Sequence, residues 1–242
     1  MTLTELEGYL KQDSNLAPHS DWILSLSKPC IDIKITDLPV LAHNSRFGGQ
    51  PFVPDDFIYP QHELGQYEFL GQINFSEIEP TPHSVLPKEG LLSLFYAFDE
   101  EGEVFWRDDD YIIAYYWQNF DDFSLMMPPL SPLTCLAKTI TFNHGVSIPR
   151  DEYMREDWPF AAGIYTDFIE SLELSEDYLL GYPSHYSLGY NPTPAIDWMS
   201  LITITSHDAF NWCWHDADKL MVFIQKDKLA KQDFSKLQAD AG

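Results

Sequence analysis

The sequence predicts an α+β fold, mainly antiparallel sheet built from two similar half-repeats with a few packed helices. The first observation behind this is an internal repeat. Phe69-Leu-Gly-Gln72-Ile-Asn-Phe75 and Leu86-Pro-Lys-Glu-Gly90-Leu-Leu-Ser-Leu-Phe95-Tyr-Ala-Phe-Asp99 find counterparts near the C-terminus. These are Ser200-Leu-Ile-Thr-Ile-Thr205 and Ala217-Asp-Lys-Leu-Met-Val-Phe223-Ile-Gln-Lys-Asp227. The second pieces align without a gap from Glu89/Ala217 to Asp99/Asp227, which places Phe95 on Phe223. A short turn stands ahead of each copy, Phe47-Gly-Gly-Gln-Pro51 in one and Leu180-Gly-Tyr-Pro183 in the other. Turn, strand, loop and strand, stated twice, predict half-repeats over about residues 45–99 and 178–229 that share one core. The second observation is strict apolar–polar alternation, as in Cys30-Ile-Asp-Ile-Lys-Ile-Thr36, which marks a strand with one buried face. The third is that helical periodicity is confined to a few short stretches.

In chain order, Leu3, Leu6 and Leu10 share one face of a short helix, with Thr4 and Glu7 at capping-box spacing. A second short helix is expected around Trp22, then the strand from Cys30. Residues 43–66 are rich in Gly and Pro and predict an irregular, structured loop. Strands follow at 67–75 and 90–98, interrupted by Pro80, Pro82 and Pro87. Glu103-Val-Phe-Trp106 and Tyr111-Ile-Ile-Ala-Tyr-Tyr-Trp117 read as further strands around an Asp108-Asp-Asp110 turn. Pro128, Pro129 and Pro132 break the chain before a strand over Leu136–Phe142. The clearest helix covers about 158–173, capped by Asp157, with Pro159 in its first turn. Its apolar stripe is Ala161, Tyr165, Phe168, Ile169 and Leu172. The second half-repeat then runs to Phe234. With no linker rich in Gly or Ser, residues 1–242 are expected to form a single domain.

Composition narrows the function classes. Fourteen Lys and Arg face 38 Asp and Glu, a formal net charge of −24. A polyanion needs basic residues to displace its counterions, so nucleic acid is not an expected partner, nor is an anionic membrane surface. No apolar run approaches a membrane span, and the acidic opening segment does not read as a secretory signal. Three widely separated cysteines (Cys30, Cys135, Cys213) suit buried free thiols in a reducing cytoplasm. The acids are clustered. Asp99 to Asp110 holds seven acids and one Arg, and Asp151 to Asp177 holds nine acids and one Arg. Such faces either keep the chain soluble or steer a basic partner onto it.

Candidate chemistry is sparse. Arg46 stands just before Gly48-Gly49, where a guanidinium and backbone N–H groups could receive an anion. Equally, Arg46 could lock the loop by pairing with a carboxylate while the glycines permit a tight turn. In Trp212-Cys-Trp-His-Asp216, alternation puts Cys213 and His215 on one face and both tryptophans on the other. A Cys–His pair there lacks an orienting third residue. His207-Asp208 and His215-Asp216 belong to no metal-ligand spacing, so no metal and no cofactor are expected. No Gly-x-Ser-x-Gly elbow is present. Carboxylate pairs are too abundant among 38 acids to single any out.

Several motifs carry a family likeness. Ser45-Arg-Phe-Gly-Gly-Gln-Pro-Phe-Val-Pro54, Phe69-Leu-Gly-Gln-Ile-Asn74 and Leu86-Pro-Lys-Glu-Gly-Leu-Leu91 resemble, in order and spacing, those of the YwqG-like family of bacterial proteins. Leu180-Gly-Tyr-Pro183 resembles that family's mid-chain turn, and Trp214 to Asp218 with Asp227-Lys-Leu229 its terminal block. The likeness covers roughly residues 40–235. It departs at Thr203-Ile-Thr205, where Gln-Ile-Asp is common, and at Asp218, where a Gly is usual. The family is catalogued as a domain of unknown function. In size, acidity and bacterial distribution it resembles proteins that neutralise toxins deployed between competing bacteria.

Two functions follow as expectations. One is a cytoplasmic binding module of immunity type, which occludes a basic toxin domain. Asp108, Asp109, Asp110, Asp121 and Asp122 would meet Lys and Arg of that partner, and Trp106 or Trp117 would anchor the contact. The alternative is an enzyme or small-ligand-binding protein with a site between the half-repeats, near Arg46, Trp214 and His215.

Overall fold

The structure is a computed structural model that describes residues 1–81, 84–98, 101–128, 136–150, 158–159 and 161–242. Helix α1 (Leu3–Gln12) begins two residues earlier than the Thr4–Glu7 spacing suggests. Its cap is Thr2, whose hydroxyl accepts the Glu5 N–H at 3.3 Å while the Glu5 carboxylate accepts the Thr2 N–H at 2.7 Å. Leu6 and Leu10 are therefore buried, and Leu3 falls outside the stripe. Helix α2 (Ser20–Ser25) and strand β1 (Lys28–Thr36) follow where expected. The predicted loop over 43–66 contains two very short strands, β2 (Arg46–Phe47) and β3 (Phe52–Pro54). Strands β4 (Gln66–Asn74) and β5 (Leu91–Phe98) form a hairpin.

Glu103–Trp106 does not form the expected strand. The Asp108 carboxylate accepts the Phe105 N–H at 2.9 Å, and the Asp108 N–H donates to the Phe105 carbonyl at the same distance. This local closure takes the backbone groups a ladder would have used. Strands β6 (Ile112–Trp117), β7 (Phe123–Leu125) and β8 (Lys138–Ser147) come next. Helix α3 (Ala162–Ser171) is shorter than the predicted 158–173, and Ala161 is an exposed cap residue with extended backbone. The expected cap Asp157 lies outside the described residues. The second part of the chain gives β9 (Tyr178–Leu180), β10 (Trp198–Thr205), β11 (Lys219–Gln225) and α4 (Lys226–Ala230). A last strand, β12 (Leu237–Ala241), extends beyond Phe234. Its Gln, Asp and two Ala residues are poor strand formers, which is why propensity misses it.

Ten strands form one sheet in the order β12-β11-β10-β9-β1-β8-β2-β4-β5-β6, and β3 pairs with β7 apart from it. Every pairing is antiparallel. The edge strands β12 and β6 approach each other, so the sheet curls into a nearly closed barrel. Each long hairpin carries one register shift. Phe69 faces Phe95 before Gly71 faces Leu94, and Ser200 faces Phe223 before Ile202 faces Val222. The main core runs through Ile31, Phe47, Ile73, Leu94, Ile202, Phe210, Trp212 and Val222. A separate cluster packs α1, α2 and α3 through Leu6, Leu10, Ile23, Tyr165 and Phe168 onto Val146 and Ile148. No helix among the described residues is long and apolar enough to cross a membrane.

A polar contact draws the two sheet edges together. Arg107, ahead of β6, reaches the buried Asp240 of β12 at 3.5 Å, and Tyr190 donates to the same carboxylate at 2.8 Å. Burial raises the Asp240 pKa, while the Tyr190 and Ala241 hydrogen bonds and the Arg107 charge pull it down. A carboxyl whose folded pKa exceeds its unfolded value favours the fold while protonated; that contribution is lost as pH rises through the folded pKa. Removing Arg107 raises the Asp240 pKa further. Arg107→Ala should therefore shift the urea midpoint from wild type more at pH 7 than at pH 4. Equal shifts at both pH values would show that the pair has no such linkage.

Candidate functional site

The loop between β10 and β11 builds one wall of the candidate site. Asn211, His215, Asp216 and Ala217 all have positive φ, so the chain coils left-handedly rather than continuing as a strand. Ser206 staples this coil: its hydroxyl donates to the Asp218 carbonyl and accepts the Trp214 N–H, both at 2.8 Å. Trp212 and Trp214 consequently point inward, Cys213 is exposed and His215 half-buried. The alternation expected for this segment holds in burial, although no strand forms. Trp212 packs on Phe47 and Phe210, and Trp214 packs edge-on against Tyr96 of β5 with ring centres 5.1 Å apart.

Between this coil and β5 lies a cavity of about 260 Å³, lined by aromatic residues including Tyr96, Phe98, Trp106, Tyr111, Trp212 and Trp214. Trp214 Nε1 is buried and makes no hydrogen bond. An indole N–H without an acceptor costs about 1–3 kcal/mol of desolvation, and this unmet donor belongs to a residue of the cavity wall. The His215 ring lies edge-on to Trp106 at 5.5 Å. The segment that supplies Trp106 also carries Glu101, Glu103, Asp108, Asp109 and Asp110, all exposed, and the coil adds exposed Asp208 and Asp216. These acids outnumber the one Arg of the segment, Arg107, although none of them lines the cavity itself. Aromatic rings with carboxylates nearby favour a cation, because quadrupole and charge act with the same sign.

The candidate residues fall into separate places. Trp106 and Trp214 line the aromatic cavity, His215 packs edge-on against Trp106, and Asp108, Asp109 and Asp110 lie in the chain between the lining residues Trp106 and Tyr111. Asp108 and Asp110 also shape the turn, the latter accepting the Tyr67 hydroxyl on its carbonyl at 2.5 Å. Trp117 lies at the far end of β6, stacked on Tyr115 and packed against Phe57 and Phe123. Asp121 and Asp122 sit exposed in the turn that follows it. Several acids of the two clusters, Asp99, Glu100, Asp151, Glu152, Glu156 and Asp157, lie outside the described residues.

Arg46 is only 1% exposed. Its guanidinium donates to the carbonyls of Leu41, Ala42, Asn44 and Gln50, and it lies 5.9 Å over the Phe69 ring. The loop is thus locked, but by backbone carbonyls rather than by a carboxylate. Burial pulls the Arg46 pKa down to about 10. Gly48 and Gly49 follow with φ of +65° and +78°, and a Cβ at Gly48 would lie 2.7 Å from the Leu136 carbonyl oxygen.

His215 Nδ1 is 3.1 Å from Ser187 Oγ, and Ser187 donates to Asp218 at 3.1 Å. The order His–Ser–Asp is not a charge-relay arrangement, since the carboxylate holds the hydroxyl and not the imidazole. His207 pairs with Asp177 at 2.8 Å, not with its neighbour Asp208, and Asp177 also accepts the Thr205 N–H. Among the described residues no three His, Cys, Asp or Glu side chains converge as a metal-binding group.

Two outcomes follow from these contacts. Arg46→Met takes the guanidinium donor from the Leu41 and Gln50 carbonyls and leaves Ala42 and Asn44 to Gln72 alone. It should cost on the order of 2–4 kcal/mol in urea unfolding, with Arg46→Lys recovering only part of it; an unchanged midpoint would contradict the lock. The second concerns the thiols. Burial, then the Asp32 charge, pushes the Cys30 pKa up to about 12, so Cys30 stays a thiol at pH 8 while Cys213 is exposed. Iodoacetamide at pH 8, read by peptide mapping, should label Cys213 and spare Cys30 until the chain is denatured.

No curated protein matches the chain. Residues 45–241 match a family from the start of the Ser45-Arg46 loop to the last residue of β12. The chain belongs to that family, described as Domain of unknown function (DUF1963).

Proposed function

We propose that this protein is a cytoplasmic, acidic, immunity-type binding module, a YwqG-like member of its family, that captures a basic partner such as a toxin domain and occludes it. The observation that supports this reading best is the aromatic cavity set among exposed carboxylates at Glu101–Asp110, Asp208 and Asp216. A Lys or Arg side chain of the partner enters the cavity and meets the Trp106, Tyr96 and Trp214 rings, while the surrounding acids steer approach. Trp106 is half-buried, so a partner can cover it further without unfolding the loop. A small ligand in the same cavity that carries a hydrogen-bond acceptor beside its cationic group is the second reading, motivated by the unpaired Trp214 Nε1.

The test is capture from source-cell lysate at low and high salt, using wild type and Trp106→Ala as paired baits. Wild type should retain one stoichiometric basic protein at low salt and lose it at high salt, because exposed charges are screened beyond a Debye length of about 10 Å at 0.1 M. Trp106→Ala should retain roughly tenfold less, as expected for a central aromatic anchor. Equal recovery by both baits, or at both salt levels, would remove the basis for this mechanism. N-acetyl-arginine amide, titrated by tryptophan fluorescence, separates the second reading: saturation without any captured protein favours a small cation.

A further inference from the structure

A second cavity, of about 550 Å³, opens between the Leu180–Pro183 turn, the start of β10 and the start of α4. It shares no lining residue with the aromatic cavity. Its walls carry two lysines, Lys28 and Lys226. In a chain with 38 carboxylates and 14 cations, lysines find acids easily. Lys11, Lys138, Lys219, Lys228 and Lys231 each pair with one here. Among the described residues Lys28, Lys34, Lys88, Lys226 and Lys236 show no such pair, and of these Lys28 and Lys226 face one cavity. The Lys28 ammonium lies 3.7 Å over the Tyr182 ring, and Lys226 donates to the Ile196 carbonyl at 2.7 Å. Asp197, beside Ile196, engages Gln225 at 3.0 Å, and Asp227, next to Lys226 in sequence, pairs with Lys231. Partial burial and the neighbouring Lys226 charge both lower the Lys28 pKa, so the two ammoniums repel each other, with no carboxylate paired to either among the described residues.

A buried polar residue lies behind the same wall. Ser200 is 2% exposed, and its hydroxyl is buried with no hydrogen-bond partner. Asn191 and Thr193 add polar side chains, and Trp198 and Ile196 add apolar surface. The frame is firm: Tyr182 donates through its hydroxyl to the Leu26 carbonyl at 2.8 Å and through its N–H to Ser147 Oγ at 3.0 Å. Gly181 has φ +75°, and a Cβ there would lie 2.6 Å from Ser147 Cβ, so only glycine lets the turn sit this close.

We propose that this cavity binds a phosphate monoester of nucleotide or sugar size, with Lys28 and Lys226 neutralising its dianion. Each ammonium has N–H donors to spare, since Lys226 commits one of three to Ile196 and Lys28 commits none to an oxygen. A monoanion would leave one of the two charges unmatched, which is why phosphate fits better than carboxylate. The volume suits a ligand of that size, within the roughly 300–1,000 Å³ of small-molecule sites. The apolar wall then receives the body that carries the phosphate.

The test is calorimetric titration of the full chain with phenyl phosphate, with benzoate as the monoanion control and inorganic phosphate as the headgroup alone. Phenyl phosphate should bind at least tenfold more tightly than benzoate and more tightly than inorganic phosphate. Lys28→Gln, at an exposed position, should weaken it tenfold or more without changing the thermal midpoint. Lys226→Gln should act like Lys28→Gln. If loss of the Ile196 contact unfolds that variant, Lys28→Gln and amide shifts of Gly181, Thr193 and Ser200 in the wild-type protein decide the matter. No binding, equal binding of benzoate, or binding unaffected by Lys28→Gln would each overturn the proposal.

Discussion

A strand of two residues joins the parts of the sheet. β2 alone bridges β8 and β4, through Arg46 and Phe47, and a pairing this short cannot hold itself. Side chains hold it instead. Arg46 gathers four carbonyls of residues 41–50, and the Gln72 amide donates to two of the same, Ala42 and Asn44, at 2.9 Å. Asn74 donates to the His43 carbonyl at 3.1 Å, and its N–H donates to Ser45 Oγ at 2.8 Å. Glu77 accepts the Ser45 N–H, and the Ser45 carbonyl accepts the Ile140 N–H. The motifs Ser45-Arg46 and Gln72-Ile-Asn74 therefore have one physical reason. They are two sides of a side-chain-to-backbone lock that replaces missing ladder bonds. β9 is the other short strand of the sheet, three residues long, and its neighbour β10 carries Thr203 and Thr205 in place of such amides.

The lock also sets the site. Alternation sends Arg46 and Phe47 to opposite faces, so fixing the guanidinium fixes the Phe47 ring against Phe210 and Trp212. From there contacts run through Trp214 to Tyr96. The aromatic cavity is thus supported from below by the element that joins the sheet. β1, central between β8 and β9, lies before the matched region of 45–241, so residues outside the family match complete the sheet.

Much of this was legible in the sequence because it rests on period and turn chemistry. β1, β4, β5, β6, β10 and β11 follow apolar patterning, and the inward tryptophans of 212–214 follow from alternation alone. What escaped depends on contacts distant in sequence. The Glu103–Trp106 strand is pre-empted by the Asp108 turn, a competition between local hydrogen bonds that pattern does not weigh. β12 exists because β11 offers it a free edge, not because Leu-Gln-Ala-Asp-Ala prefers to extend. Gathering Trp106 with Trp214, and separating both from Trp117, required the curl of the sheet. The Lys28–Lys226 pairing spans nearly the whole chain. Its only sequence signal was the scarcity of cations.

Charge alone does not tell scaffold from site in this molecule. Arg46, Lys28 and Lys226 all lack a carboxylate partner among the contacts described, in a chain whose net charge of −24 favours any cation at long range. They differ in exposure and in how far their donors are used. Arg46 is sealed, with carbonyls around both terminal nitrogens, so an incoming anion would have to break existing bonds to reach it. Lys28 spends its ammonium on a ring face, which leaves its N–H bonds available to an oxygen. The acidic surface obeys the same rule. Asp240 and Asp218 are buried and satisfied, and they hold the barrel edge and the Tyr186–Ser187 turn. The carboxylates around Trp106 are exposed, and the ring beside them is half-covered. Unspent donors and acceptors next to reachable volume, rather than the sign of a charge, separate the groups that build this fold from those that can meet a partner.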